Sequence, residues 1–283
     1  MSGLTVALGL SARPWAMWKY LRIFRVSLVE RLTYRADFLL GTVLRFLPLI
    51  TSVLLWTAVY RGSGEESIEG YTCRQVIAYL LLVHISRMFS SMPGLAAGMA
   101  RDIREGTIKR YLVQPLDLQT HLLAYRSAHK AAYIFTSALP YVVLFWWMGG
   151  YFDWPSDPWI WSAWIVALLL GFILGFVMEF CLGLIGFWFL EISSFLYLMN
   201  TISFFLSGHL MPLDLFGDGV ASILKAMPFQ FLAFYPASVL LGKESTHDLL
   251  WNLGVEACWC VAFFIAGRYF LRAGLKQFSA FGG

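Results

Sequence analysis

From Trp159 to Ser207 the chain runs for 49 residues without a Lys, Arg, Asp or His, and its only charged side chains are Glu179 and Glu191. A helix crossing the roughly 30 Å hydrocarbon core of a bilayer needs about 20 apolar residues, so this run is too long for one crossing and suits two. A turn must lie inside it. The stretch FLEISS around Glu191 is the most polar interruption and fits a membrane surface better than the competing position, Glu179. Comparable apolar windows lie at about 38–60, 75–97, 131–150, 159–188, 192–209 and 248–268. Hydrophobic residues make up 59% of the chain and charged residues 13%, against roughly a quarter charged in soluble domains. The expected fold is an all-α integral membrane protein with six transmembrane helices in a single domain spanning 37–270.

Lys and Arg in short loops set the orientation of such a protein. They gather in the arm before the first window (Arg13, Lys19, Arg22, Arg25, Arg31, Arg35), in the 101–130 loop (Arg101, Arg104, Lys109, Arg110, Arg126, Lys130) and in the tail (Arg268, Arg272, Lys276). The opposite loops hold only Arg61, Arg74, Lys225 and Lys243. Charge bias and an even span number both put the termini and the 101–130 loop in the cytoplasm, with the chain multi-pass in the cytoplasmic (inner) membrane. The opening MSGLTVALGLSARPW has a short apolar stretch with no cation before it. That is the reverse of signal-peptide order, so the start of the chain is expected to be retained.

In residues 1–36, Trp18, Leu21, Phe24, Leu28 and Leu32 recur every three or four positions, with Lys19, Arg22 and Arg25 off that stripe. This predicts a cytoplasmic amphipathic helix lying in the membrane interface; a soluble helix packed on a partner is the alternative. Between the fifth and sixth windows, about 208–245 is too apolar for a solvated loop, yet Pro212, Pro228 and Pro236 forbid one helix. Short re-entrant helices at the outer leaflet, covered by protein, would satisfy its backbone; a segment lying on the surface is the other reading. Residues 271–283 form a cytoplasmic tail.

Residues 101–117, RDIREGTIKRYLVQPLD, are a charged island in this apolar chain. Gly106 interrupts it, Thr107 is an N-cap candidate, and Ile108, Tyr111 and Leu112 follow at helical spacing until Pro115. A short helix with one apolar face results, too small to fold alone and suited to docking; a solvated loop is the alternative.

REGTIKRYLVQPLD resembles the E-G-T/S, L-L, P-L segment after the second span in permease subunits of ABC-2 type transporters. YRADF at 34–38, the six-span count, and SGHLMPLDLF with MPFQF and YPA after the fifth window extend the resemblance over nearly the whole chain. It is closest to the branch with paired permeases and a separate ATPase. The resemblance implies an export permease forming half of a translocation pathway. Its coupling segment, about 98–120, would meet a cytosolic ABC ATPase, and its other half would be a second copy or a related permease. The chain has no G-x-x-x-x-G-K-[ST] phosphate loop, so no cofactor is assigned to it, and ATP and Mg are expected on the partner. Arg101, Asp102, Arg104, Glu105, Lys109 and Arg110 are expected to make polar contacts with the ATPase. Ile108 and Leu112 are expected to enter a groove on it, with Gly106, Thr107 and Pro115 shaping the segment.

Ionisable groups inside a span cost at least about 2.5 kcal/mol. At 1.5 Å per residue, Arg45, Arg87 and Glu179 lie at about one depth. They form a structural ion pair or triad, or line the path of an anionic or amphipathic substrate, or the arginines snorkel. Glu256 is a further buried carboxyl, which His209 or His84 would meet. Gly171 and Gly175 form a G-x-x-x-G that permits close helix packing. The histidines and carboxylates show no metal spacing, no H-E-x-x-H or G-x-S-x-G occurs, and the four cysteines form neither disulfide framework nor zinc site. An intramembrane enzyme is therefore disfavoured and a non-transporting scaffold is the main competitor. The net charge of +4, spread over loops, gives no basic face for nucleic acid.

Overall fold

A computed structural model describes residues 14–33, 35–189 and 191–278; of the side chains in 14–17 and 31–40 and of Thr42, Val43, Arg45 and Asp218 it describes nothing. Helix α1 (Pro14–Thr33) is followed by α2 (Arg35–Ser63), a two-residue hairpin (β1 Ser67–Ile68, β2 Tyr71–Thr72) and α3 (Cys73–Ser90). Then come α4 (Leu95–Arg104), α5 (Lys109–Leu112), α6 (Leu118–Trp147) and α7 (Pro158–Leu184). The chain continues through α8 (Ser193–Leu206), α9 (Asp218–Ala226), α10 (Phe234–Leu240) and α11 (Thr246–Phe278). The protein is all-α apart from the hairpin.

Local chemistry explains the helix boundaries. Thr72 and Gln75 close a capping box at the start of α3. Asp117 and Asp157 cap α6 and α7 by accepting hydrogen bonds from Thr120 N–H and Trp159 N–H, both at 2.8 Å. Pro93, with Gly94 at φ +72°, separates α3 from α4, because Pro lacks the N–H that a continuous helix requires.

Among the described residues, Cys73–Arg104, Pro158–Phe187 and Thr246–Phe278 are long and apolar enough to cross a membrane. Helices α2 and α6 cover the first and third windows. The fifth window yields only the 14-residue α8, about 21 Å long at 1.5 Å per residue and short of a full crossing. The break before it falls at 188–192, around Glu191, whose Oε1 accepts a hydrogen bond from Ser193 N–H at 2.8 Å. Beyond α8, residues 213–240 are short helices and turns, and every residue from Phe231 to Leu240 is buried. The stretch 231–240 is thus covered by protein, whereas α9 exposes Val220 and Ile223.

Helix α7 is the axis of the fold and packs against α11, α3, α4 and α10. Glycine makes the approach possible. A Cβ at Gly171 would stand 3.1 Å from the Phe231 carbonyl oxygen, and one at Gly175 would overlap the Ser90 carbonyl. Gly183 and Gly186 meet Ala96 and Ala100 of α4 in the same way. Around these contacts Phe176, Phe180 and Leu184 form a core with Leu95, Met99, Ile103, Ile108 and Phe231.

Helix α1 packs along α6. Ser27 is buried, Phe24 and Leu28 are partly covered, and Trp18, Leu21, Val26 and Val29 are exposed. The stripe read from the sequence is therefore divided between protein contact and an outward face.

Polar contacts gather at two ends. At one end, Arg74 pairs with Asp153 at 2.8 Å, Tyr71 Oη donates to Asp214 Oδ2 at 2.5 Å, and Lys225 pairs with Asp214. Burial, with the Asp214 hydrogen bond next, raises the Tyr71 hydroxyl pKa. The other end holds the charged island.

Replacing Gly175 by Ala is expected to cost about 1–3 kcal/mol through overpacking. Gly98→Ala, in α4 with nothing within 4 Å of the added methyl, should be neutral or gain about 0.5–1 kcal/mol. Thermal melting of the detergent-purified protein separates the two.

Candidate functional site

The 101–117 island is a folded knob. Helix α4 ends at Arg104, Gly106 takes φ +72°, and the chain doubles back so that Ile108 N–H donates to the Asp102 carbonyl at 3.0 Å. Asp102 closes the turn. Its Oδ1 accepts from the Thr107 hydroxyl at 2.8 Å, and Arg110 Nη2 donates to Oδ2 at 3.2 Å.

Two expectations change here. Thr107 does not cap α5; its hydroxyl is engaged with Asp102, and the residue before α5 is Ile108, which offers no side-chain cap. Ile108 is 2% exposed and lies in the chain's own core, with Leu112 packed against that core. The apolar face of the short helix therefore anchors the knob to the transmembrane helices, because burying it there removes it from water without any partner. Arg101, Arg104, Glu105, Thr107, Lys109, Arg110 and Pro115 remain outward. Val113, which the periodicity passed over because it falls off the Ile108 face, is 81% exposed at the tip.

Ion pairs tie the knob to distant segments. Arg104 Nη1 donates to Glu191 Oε2 at 2.8 Å, joining α4 to the turn before α8. Arg104 is thus already engaged within the chain. Asp117, the cap of α6, pairs with Arg268 of α11, and its N–H donates to Tyr20 Oη of α1 at 3.2 Å. Burial alone would raise the Asp117 carboxyl pKa; hydrogen bonds from Arg268 and Thr120 outweigh it and hold the value below the ordinary one. The Asp117–Arg268 contact spans 151 positions and left no local trace in the sequence, although Asp117 before LQTH is a recognisable cap.

The second feature is a cavity of about 550 Å³ between the end of α3, the start of α4, α7, α8 and the inner part of α11, with Arg87 and Glu179 in its wall. The two residues share this space, yet among the described residues neither belongs to an ion pair. Glu179 shares that wall with Ala96, at the start of α4, and lies in the field of Arg87 and Arg126. The side chain of Arg45 is outside the described residues. Arg87 also borders a neighbouring cavity of about 580 Å³ with His84 and His209. The histidines therefore accompany Arg87 and not Glu256, which is fully buried beside Gly171.

Long apolar helices joined through glycine contacts, and polar ends tied by ion pairs, define a multi-pass membrane protein with a structured polar knob at one end. The family model described as ABC-2 family transporter protein matches residues 46–282, and the chain belongs to that family. No curated protein is significantly similar to it. Membership makes the chain a membrane permease component of an ABC transporter, not itself an enzyme, and permeases of this family normally work with ABC ATPase partners.

Asp117→Asn removes a charged partner of Arg268 and weakens the α6 cap, and should cost about 2 kcal/mol. A carboxyl with a depressed folded pKa stabilises the protein above its unfolded pKa, and that stability is lost as pH falls through the folded value. The wild type should therefore lose more stability than Asp117→Asn on acidification below about pH 4, read as the narrowing gap between their melting temperatures.

Proposed function

We propose that this chain is a six-span permease subunit of an ATP-driven exporter in the cytoplasmic (inner) membrane, forming half of the translocation pathway, with the short α8 completing its fifth crossing together with the segment after it. Its termini and the 101–117 knob face the cytoplasm. A separate ABC ATPase, carrying ATP and Mg, docks on the knob, and a second copy or a related permease supplies the other half. The 208–245 segment covers the outer end, and α1 lies at the inner interface with Trp18, Leu21, Val26 and Val29 toward lipid.

The observation that carries this reading is the construction of the knob. Ile103 and Ile108 are buried in the core, with Leu112 packed against it, while Arg101, Glu105, Lys109 and Arg110 face outward. A push on that outward face has a stiff route inward, through α4 onto the glycine surface of α7, through Arg104–Glu191 to α8, and through Asp117–Arg268 to α11. Closure of the nucleotide subunits would then change how the spans of the two halves meet, a coupling of free energy between distant sites. The concentration of Lys and Arg at this end supports its cytoplasmic placement.

Joint replacement Arg101→Glu and Glu105→Lys, both at exposed positions, should leave stability within about 0.5 kcal/mol. It should abolish copurification of the ATPase and ATP-dependent efflux from vesicles. Retention of both activities, or labelling of a cysteine placed at Val113 from the outer side of intact cells, overturns the assignment. Intact ATPase binding in the wild type with no ATP-dependent flux points instead to a scaffold.

A further inference from the structure

We propose that the cavity between α3, α4, α7, α8 and α11 binds an acidic amphiphile, with the Arg87 guanidinium on the carboxylate or phosphate of its headgroup and the acyl chain among the apolar wall residues. Three observations lead there.

The first is charge. Guanidinium does not lose its proton in a protein, and a cation withdrawn from water needs an opposite charge or dense hydrogen bonding. Arg87 lies in the wall of an interior space, and among the described residues no carboxylate comes within ion-pair distance of it.

The second is the place of Glu179. It lines the same cavity as Arg87, yet among the described residues no ion pair joins the two. The Arg87 guanidinium therefore stays open to an acidic headgroup.

The third is shape and lining. At about 550 Å³ the cavity lies within the usual 300–1,000 Å³ range of small-molecule sites. Met178, Leu182, Leu196, Met199 and Phe263 make most of the wall apolar. A free inorganic anion would satisfy Arg87 and leave this surface against water; an acyl chain covers it. The methionines suit a flexible chain, since their unbranched thioethers adapt to its path.

On the permease reading above, this ligand is what the protein carries. Its binding is nonetheless measurable on the purified full chain with no ATPase present, so a failure of coupling and a failure of binding are read separately. The chain, in nonionic detergent, is titrated with palmitate, lysophosphatidic acid, the monoacylglycerol of the same chain length, and inorganic phosphate. Both acidic lipids should bind at least about tenfold tighter than the neutral one, the value of one favourable charge contact. Arg87→Gln should erase that preference and keep the residual affinity of the neutral lipid. Met199→Trp, which fills the cavity, should weaken all three lipids. Equal affinity for acidic and neutral lipids in the wild type overturns the proposal, as does a preference that survives Arg87→Gln. Phosphate competing as well as lysophosphatidic acid would assign the site to a free anion and equally overturn it. Should Arg87→Gln not fold, undiminished lipid binding by folded Met199→Trp is decisive against the site.

Discussion

The backbone contact between Gly175 of α7 and Ser90 at the end of α3 governs the arrangement of this protein. Two helix backbones approach so closely there that no side chain, not even a methyl, fits between them. Ser90 itself is held by its hydroxyl, which donates to the Leu232 carbonyl at 2.7 Å. Directly after it the chain must turn, and Pro93 and Gly94 redirect it into α4, which runs down the same face of α7 over Gly183 and Gly186. In a bilayer, where lipid tails are as apolar as leucine, close van der Waals packing of this kind is a main source of helix association.

Both polar features follow from that contact. The bend after Ser90 leaves Arg87 near the end of one helix and Ala96 at the start of the next. Glu179, one turn beyond Gly175 on α7, lines the space between them. A cavity opens where three segments change direction together. At the other end of α4, Asp102 folds the chain back into the knob, and burial of Ile103 and Ile108 makes it one rigid piece with the helix. The charged surface of the knob and the interior cavity are thus the two ends of a single ten-residue helix.

How much of this could be read from the residues varies with the range of the interaction responsible. The turn near Glu191 was legible because a charged residue in an apolar run has one comfortable place, the membrane surface. The fragmentation of 208–245 was legible from three prolines, and the knob from its Gly, charges and Pro. The inward direction of Ile108 was not, since an apolar face at helical spacing looks the same whether it meets the chain's own core or a partner. Thr107 misled for a related reason: a hydroxyl before a helix is a cap by local rules, but Asp102 across the turn offered it a better acceptor.

By itself the sequence determined the solvent and the class of fold. Apolar runs near the length of a bilayer, few charges and those confined to ends or functional interiors, leave an all-α membrane domain as the structure that satisfies its backbone. It also marked the residues, Arg87, Glu179 and the 101–117 island, where polar chemistry had to be accommodated. Tertiary structure alone decided their partners: Arg104 with Glu191, Asp117 with Arg268, and Arg87 and Glu179 in the wall of one cavity. Hydropathy is additive along a chain and can be read residue by residue, whereas each of these pairings depends on which helices meet and at what depth, and that is set by the glycine contacts of α7.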